Sequence, residues 1–296
     1  MTAWAAIAQT ATPSPAGQHV LVLGRISDDP RAHYDQLRPL LDYVVPRMRS
    51  VGITEGRVLM ARDPQQMTAY LRSGRVDWVT ETAGTAMQLQ RRGGAHPLLL
   101  TERNGVSRYR TLFIARRGSG IHGLKDLVGR SIAFQSTAST SAYLVPAITL
   151  LQARLTPELM LSPRDRVSGG KVGYLFARSE LNISTWVAKG IVDAGVLSNL
   201  DWDDDRRMPP SFRSELEVVY QTPDYPRALE MVRAGLAAPV RARLREVLME
   251  ASQDPEGQHA LRRFFGTTRF MEIDPSTRQA LEQLSAGSAR VRDVLE

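Results

Sequence analysis

Cysteine is absent from the 296-residue chain, which excludes disulfides, thiolate metal sites, a cysteine nucleophile and a lipid-modified N-terminal cysteine. The redox compartment is left open by that absence. No apolar run approaches the length of a membrane span. Histidine is sparse, at positions 19, 33, 96, 122 and 259, and none of these spacings suits a metal. A Gly-rich nucleotide loop, a Gly-x-Ser-x-Gly elbow and a His-Glu-x-x-His run are all missing. Catalysis and a bound cofactor therefore have no support in the sequence. Charge of one sign is only mildly in excess, with Lys+Arg 38 against Asp+Glu 31 and a net charge of +7. The excess favours anionic partners. Its arginine pairs, at 91–92, 116–117, 206–207 and 262–263, are scattered and form no basic helix or aromatic-basic stripe, so nucleic acid is not the expected partner.

What remains is an ordinary globular composition, 43% hydrophobic and 23% charged, long enough for two lobes that each bury a core. Residues 1–18 carry neither a charged start nor a full apolar core, and read as the remnant of an export signal or as an unstructured N-terminus. From His19 onward strand-like and helix-like blocks alternate, which favours an α/β architecture with mostly parallel sheets. Strands are expected at 20–24, 57–61 and 76–79, with an amphipathic helix between the first two carrying Leu37, Leu40, Leu41, Val44, Val45 and Met48. A polar turn at 101–107 precedes a strand at 109–115 and marks a first crossover between lobes. Further strands fall near 131–134, 194–197 and 216–220. The acidic stretch 201–210 reads as an exposed loop, and the last thirty or so residues as a polar helix.

Residues 131–146 are the most informative segment. A short apolar strand runs into Ser136, Thr137, Ser139, Thr140 and Ser141 and then into an apolar helix-like run ending at Pro146. Unpaired amides at a helix start, the positive end of its dipole and a set of hydroxyls together make a receptor for an oxyanion. A well-capped helix behind a polar loop is the competing reading of the same residues.

Taken in order, several blocks resemble the type II periplasmic substrate-binding proteins of phosphonate, phosphite and phosphate ABC transporters. They are residues 39–43, 71–77, 120–130 leading into Ser139, Thr140 and Ser141, 187–195, and 222–227. The resemblance implies two α/β lobes, each a mostly parallel sheet flanked by helices and joined by two crossover segments. Residues 19–106 with 225–296 would form the first lobe and 107–224 the second. It further implies a monomeric, periplasmic or otherwise extracytoplasmic receptor whose partners are a small oxyanion and a membrane permease with its ATPase. A sensory module of the same fold, signalling to a membrane kinase, is the alternative. In the family the phosphorus oxyanion sits on the Ser-Thr-Ser loop, here Ser139, Thr140 and Ser141, with Ala142 in place of the family's following glycine.

The remaining candidates stand at sheet edges where α/β proteins bind ligands. Thr80, Glu81 and Thr82 follow the third strand; Glu81 departs from the family pattern and reads either as a ligand contact or as a surface or capping residue. Tyr109, at the crossover, either faces the ligand or packs at the hinge. Glu180 and Asn182 lie where the family often carries a histidine followed by an acid. Asn199 is either a donor to the ligand or a turn residue. Arg25 offers electrostatic attraction or is a solvated charge, which leaves uncharged donors as the expected grip on the anion. Asp77 and Asp193 read as caps on neighbouring backbone.

Overall fold

The computed structural model describes residues 19–27 and 29–295; residues 1–18, with their export-signal reading, lie outside the described residues. The chain begins with β1 (Val20–Ile26), whose Leu21 and Leu23 are fully buried. Asp29 then accepts from the Ala32 amide and starts α1 (Pro30–Arg47), which buries the stripe Leu37, Leu40, Leu41 and Val44. After β2 (Glu55–Ala61), Asp63 caps α2 (Pro64–Arg72) by accepting from Gln66, with Pro64 preset for the first turn. Next come β3 (Trp78–Thr82), α3 (Ala83–Gly93) and β4 (His96–Arg103).

The polar segment expected as a turn over 101–107 is mostly strand. β4 runs to Arg103, and only Asn104 and Gly105, at φ 50° and 75°, reverse the chain, closed by Val106 donating to the Arg103 carbonyl. Two strands then carry the chain across: β5 (Arg108–Tyr109) and β6 (Thr111–Arg116). The second lobe continues through β7 (Ser131–Phe134), α4 (Val145–Gln152), β8 (Thr156–Leu159), β9 (Lys171–Phe176), α5 (Glu180–Ala188) and β10 (Ala194–Ser198). It ends with α6 (Asn199–Trp202), α7 (Pro210–Glu215) and β11 (Leu216–Gln221). The chain returns along β12 (Tyr225–Pro226), which pairs with β5, and enters the first sheet as β13 (Ala228–Val232). It finishes with α8 (Ala238–Glu250), α9 (Pro255–Arg263), β14 (Thr267–Met271) and α10 (Pro275–Leu295).

Two six-stranded sheets result, ordered β14-β4-β13-β3-β1-β2 and β11-β6-β10-β7-β9-β8. β1 runs parallel to β2 and β3, and β7 through β10 are parallel neighbours; the strands next to the crossovers, β13 and β6, run antiparallel. Helices cover these sheets over separate apolar cores, giving two lobes of a type II periplasmic binding fold joined by the β5–β12 ribbon.

The stretch expected as an exposed loop over 201–210 is irregular over 203–209, with Asp203, Asp205, Arg206 and Arg207 exposed, but its start differs. Ser198 and Asp201 form a reciprocal capping box that starts α6, and Asp201 is only 5% exposed. The Ser-x-x-Asp spacing is the reason, an acid three residues after a hydroxyl satisfying the amides at a helix start.

α10 also joins the two lobes, packing beside the ribbon strand β12. It packs on α3 of the first lobe and α4 of the second. Leu281 and Leu284 enter the core of the first lobe, while Val291 enters that of the second. Gly287 permits the close approach, since a Cβ there would lie 2.5 Å from Ile148 Cδ1. Replacing Leu281, 4% exposed, by alanine is expected to cost about 2–5 kcal/mol in urea unfolding. A loss below about 1 kcal/mol would show that this helix is not part of the folded core.

Candidate functional site

The carboxyl ends of β1, β3, β4, β7 and β10 face one another across the lobes and enclose a cavity of about 790 Å³. The second lobe contributes the turn after β7. Ser139 accepts from the Ala142 amide and so caps a wide turn, residues 140–144, that runs directly into α4. Thr140 and Ser141 occupy the first two positions of that turn, where amides have no partner within the helix. Tyr143 anchors it from below, packing edge-on against Phe134 at 5.6 Å, and Gln135 donates its amide to the Ala142 carbonyl. The turn is thus fixed before any ligand arrives.

Thr140 also ties the lobes together. Its hydroxyl donates to Thr82 Oγ1 at 3.0 Å and accepts from the Gly84 amide at 3.1 Å. This contact requires glycine at 84, because a Cβ would come within 2.7 Å of both Thr140 Oγ1 and Leu144 Cδ2. At the crossover Thr111 donates to the Ser141 carbonyl and pairs with the Tyr225 hydroxyl, both at 2.8 Å. Tyr109 packs against Tyr225 with ring centroids 4.7 Å apart and planes tilted by 58°, and burial pushes its phenol up to about 12.

The first lobe supplies arginines. Arg25, at the end of β1, donates to the Thr80 carbonyl at 3.1 Å, and Arg103, at the end of β4, donates to the Thr80 hydroxyl at 3.2 Å. Their guanidinium carbons lie 4.3 and 4.8 Å from the centroid of one ring, Phe265. Arg227 reaches in from the second crossover and donates to the Arg103 carbonyl at 2.7 Å. Burial, followed by the charge of Arg25, lowers Arg103 to about 10. Behind them Glu230 is fully buried and accepts from Trp78 Nε1, Thr80 and Thr101 at 2.6, 2.8 and 2.8 Å. Burial raises the Glu230 carboxyl above the usual range. Among the described residues, the first lobe thus sets arginines without carboxylate ion-pair partners beside the hydroxyls of the cleft.

On the second lobe the charges cancel locally. Arg206 makes two bonds to Asp204, at 3.0 and 2.9 Å, which hold that carboxyl at about 2. Arg207 pairs with Asp201. Glu180 sits beside them and is raised by burial and then by the charge of Asp201.

Of the residues singled out by sequence, Arg25, Thr82, Tyr109, Ser139, Thr140, Ser141 and Glu180 line this one cavity. Four others are placed elsewhere. Thr80 lies beneath the lining, between Glu230 and Arg103. Glu81 is buried and accepts from the Ile26 amide at 2.9 Å, which makes it a tie between β1 and β3, and burial raises its carboxyl. Asn182 donates to the Ala177 carbonyl at 2.7 Å, within the start of α5. Asn199 accepts from the Arg110 amide at 3.0 Å and pins the crossover. Asp77 and Asp193 do cap backbone, accepting from Val22 and Ser131. Gly84, Arg103, Arg227 and Phe265 had not been singled out. Only the position of Arg103 at a strand's carboxyl end would have signalled a role.

Two outcomes test this geometry. Changing Gly84 to valine should hold the lobes apart and raise the radius of gyration in small-angle scattering; an unchanged radius would place the lobe contact elsewhere. The raised Glu180 makes the native state bind more protons than the unfolded chain at pH values above 4.5, so its contribution to stability falls as pH rises through that window. Glu180→Gln should match the native protein in thermal unfolding below pH 4.5 and exceed it increasingly above. Equal pH profiles would contradict the burial of that carboxyl.

Comparison with known proteins agrees with this architecture. A solved structure of XAC2383 from Xanthomonas citri bound to chloride ion is 54% identical, covers 93% of this chain and 99% of its own, and superposes with a TM-score of 0.89. The same protein bound to ATP gives 52% identity, 94% and 100% coverage, and a TM-score of 0.89. "Probable ABC transporter phosphite binding protein PhnD1" of Prochlorococcus marinus (strain MIT 9301) is 27% identical over 154 residues, 50% of this chain and 48% of its own. The chain thus spans about half the length of that curated relative. The sequence profile of the ABC transporter phosphonate periplasmic substrate-binding proteins matches residues 25–277, and the chain belongs to that family.

Proposed function

We propose that this protein is an extracytoplasmic solute receptor that closes its two lobes on a phosphorus oxyanion and delivers it to an ABC permease and its ATPase. The observation that carries the reading is the Ser139–Ser141 turn. Its leading amides and its hydroxyls stand at the mouth of the cleft, on a helix start, and one hydroxyl already reaches the other lobe. A ligand touching both lobes favours the joined arrangement in proportion to its differential affinity. The protein acts as a monomeric binder and releases its cargo unchanged. Among the described residues no cluster of metal-ligating side chains is present and no helix is long and apolar enough to cross a membrane.

Phosphonate, phosphite and phosphate all present the tetrahedral oxygens such a turn accepts. The ligand class extends to phosphate esters, favoured by the cavity of about 790 Å³ and by the ATP carried by a relative 52% identical. Thermal unfolding with phosphate, phosphite, methylphosphonate and ATP tests the reading. A true ligand at one hundred times its Kd should stabilise by about 2.7 kcal/mol. Changing Ser139 and Thr140 together to alanine should remove the shift, and a double variant that keeps it would overturn the assignment of the turn.

A further inference from the structure

The first lobe carries a second constellation that a single small oxyanion leaves unused. Arg25 and Arg103 bring two like charges onto one aromatic ring, and the Nε of each is buried with no hydrogen-bond partner. Arg103 is only 8% exposed, so its unused donor cannot be satisfied by bulk water. Neither arginine forms an ion pair with a carboxylate among the described residues, in contrast to Arg206 and Arg207 across the cleft. Phe265 itself adopts φ 54°, in the left-handed region that a bulky side chain rarely enters. Such strain persists where the surroundings hold it, here to present a ring to two guanidinium planes.

Unpaired buried donors and adjacent like charges both cost stability, and a bound anion relieves both. The buried acids behind the pair do not take that place. Glu230 spends its oxygens on Trp78, Thr80 and Thr101 and reaches Arg103 through the Thr80 hydroxyl and by its charge, and Glu81, whose charge also acts on both arginines, accepts from the Ile26 amide. Guanidinium forks match phosphoryl oxygens two at a time, whereas the hydroxyl turn offers single donors.

We infer that Arg25 and Arg103, held on Phe265, form a second phosphoryl subsite opposite the Ser139–Ser141 turn, so that the ligand is a polyphosphate or a polyphosphate ester spanning the two lobes. The inference rests on the receptor reading and specifies its ligand class. A monoester leaves one of the two subsites empty, while a chain of linked phosphoryl groups fills both and gains contacts only when the lobes meet.

Titration calorimetry with inorganic phosphate, pyrophosphate and tripolyphosphate tests it. The native protein should bind tripolyphosphate at least about tenfold more tightly than phosphate, the worth of one added charge-assisted contact. Arg25→Gln and Arg103→Gln should each bring that ratio close to one; Arg25, less buried, keeps the test in force if the Arg103 variant fails to fold. Phe265→Leu, which keeps both charges but removes their support, should lower the ratio partly. Phosphate binding by the native protein with no preference for the longer chains would overturn the second subsite alone. An unchanged ratio in folded Arg25→Gln would do the same. Failure of all three anions to bind the native protein would overturn the polyphosphate class; only failure of phosphite and methylphosphonate as well would overturn the receptor reading with it.

Discussion

One hydroxyl, that of Thr140, joins the lobes at the proposed anion site. It donates to Thr82 and accepts from the Gly84 amide, so the same side chain belongs to the anion turn and to the seam between lobes. Hydroxyl contacts of this kind exchange with water at little net cost, about 1 kcal/mol each. The seam can therefore open without unfolding either lobe. Elsewhere the lobes are held by apolar surface: the Tyr109–Tyr225 ring contact on the crossover ribbon, and α10, whose buried leucines and valine belong to different cores. A weak polar contact at the mouth and a strong apolar attachment behind it let a ligand's own contacts decide the closed population.

The distribution of charge compensation gives the cleft its polarity. Aspartates neutralise the arginines of the second lobe, and the remaining acid there, Glu180, is kept protonated more readily by burial and by Asp201. In the first lobe the partners of the arginines are a ring, a carbonyl and a hydroxyl, which orient a guanidinium while leaving its charge available. Glu230 matters here as a fixed post. Three donors lock it, and the Thr80 hydroxyl it accepts from is then turned to receive Arg103.

Much of this was legible in the sequence, for identifiable reasons. The hydroxyl-rich turn was legible as a capped helix start after a strand, and capping by Ser139 is what the structure shows there; its proposed anion role came from the order of the family blocks around it. An acid directly before proline is a helix-start signal, and Asp29 and Asp63 both cap helices. What failed to show was tertiary. Thr80 and Thr82 share one face of β3 and Glu81 lies on the other, and which of them a cleft reaches depends on the strands placed beside β3. One of these is β13, contributed from 148 residues further along by the pairing of Leu229 with Glu81. Arg103 and Phe265 meet only because β14 pairs with β4, and Gly84 matters only because the other lobe approaches it.

The central claim is that the Ser139–Ser141 turn is the anion-binding half of the cleft. A crystal structure of the protein with a phosphorus oxyanion bound tests it most directly. The account predicts phosphoryl oxygens within hydrogen-bond distance of the Thr140 and Ser141 amides and of at least one of the three hydroxyls, with Thr140 still in contact with Thr82. A ligand seated in the cleft without touching that turn would contradict it.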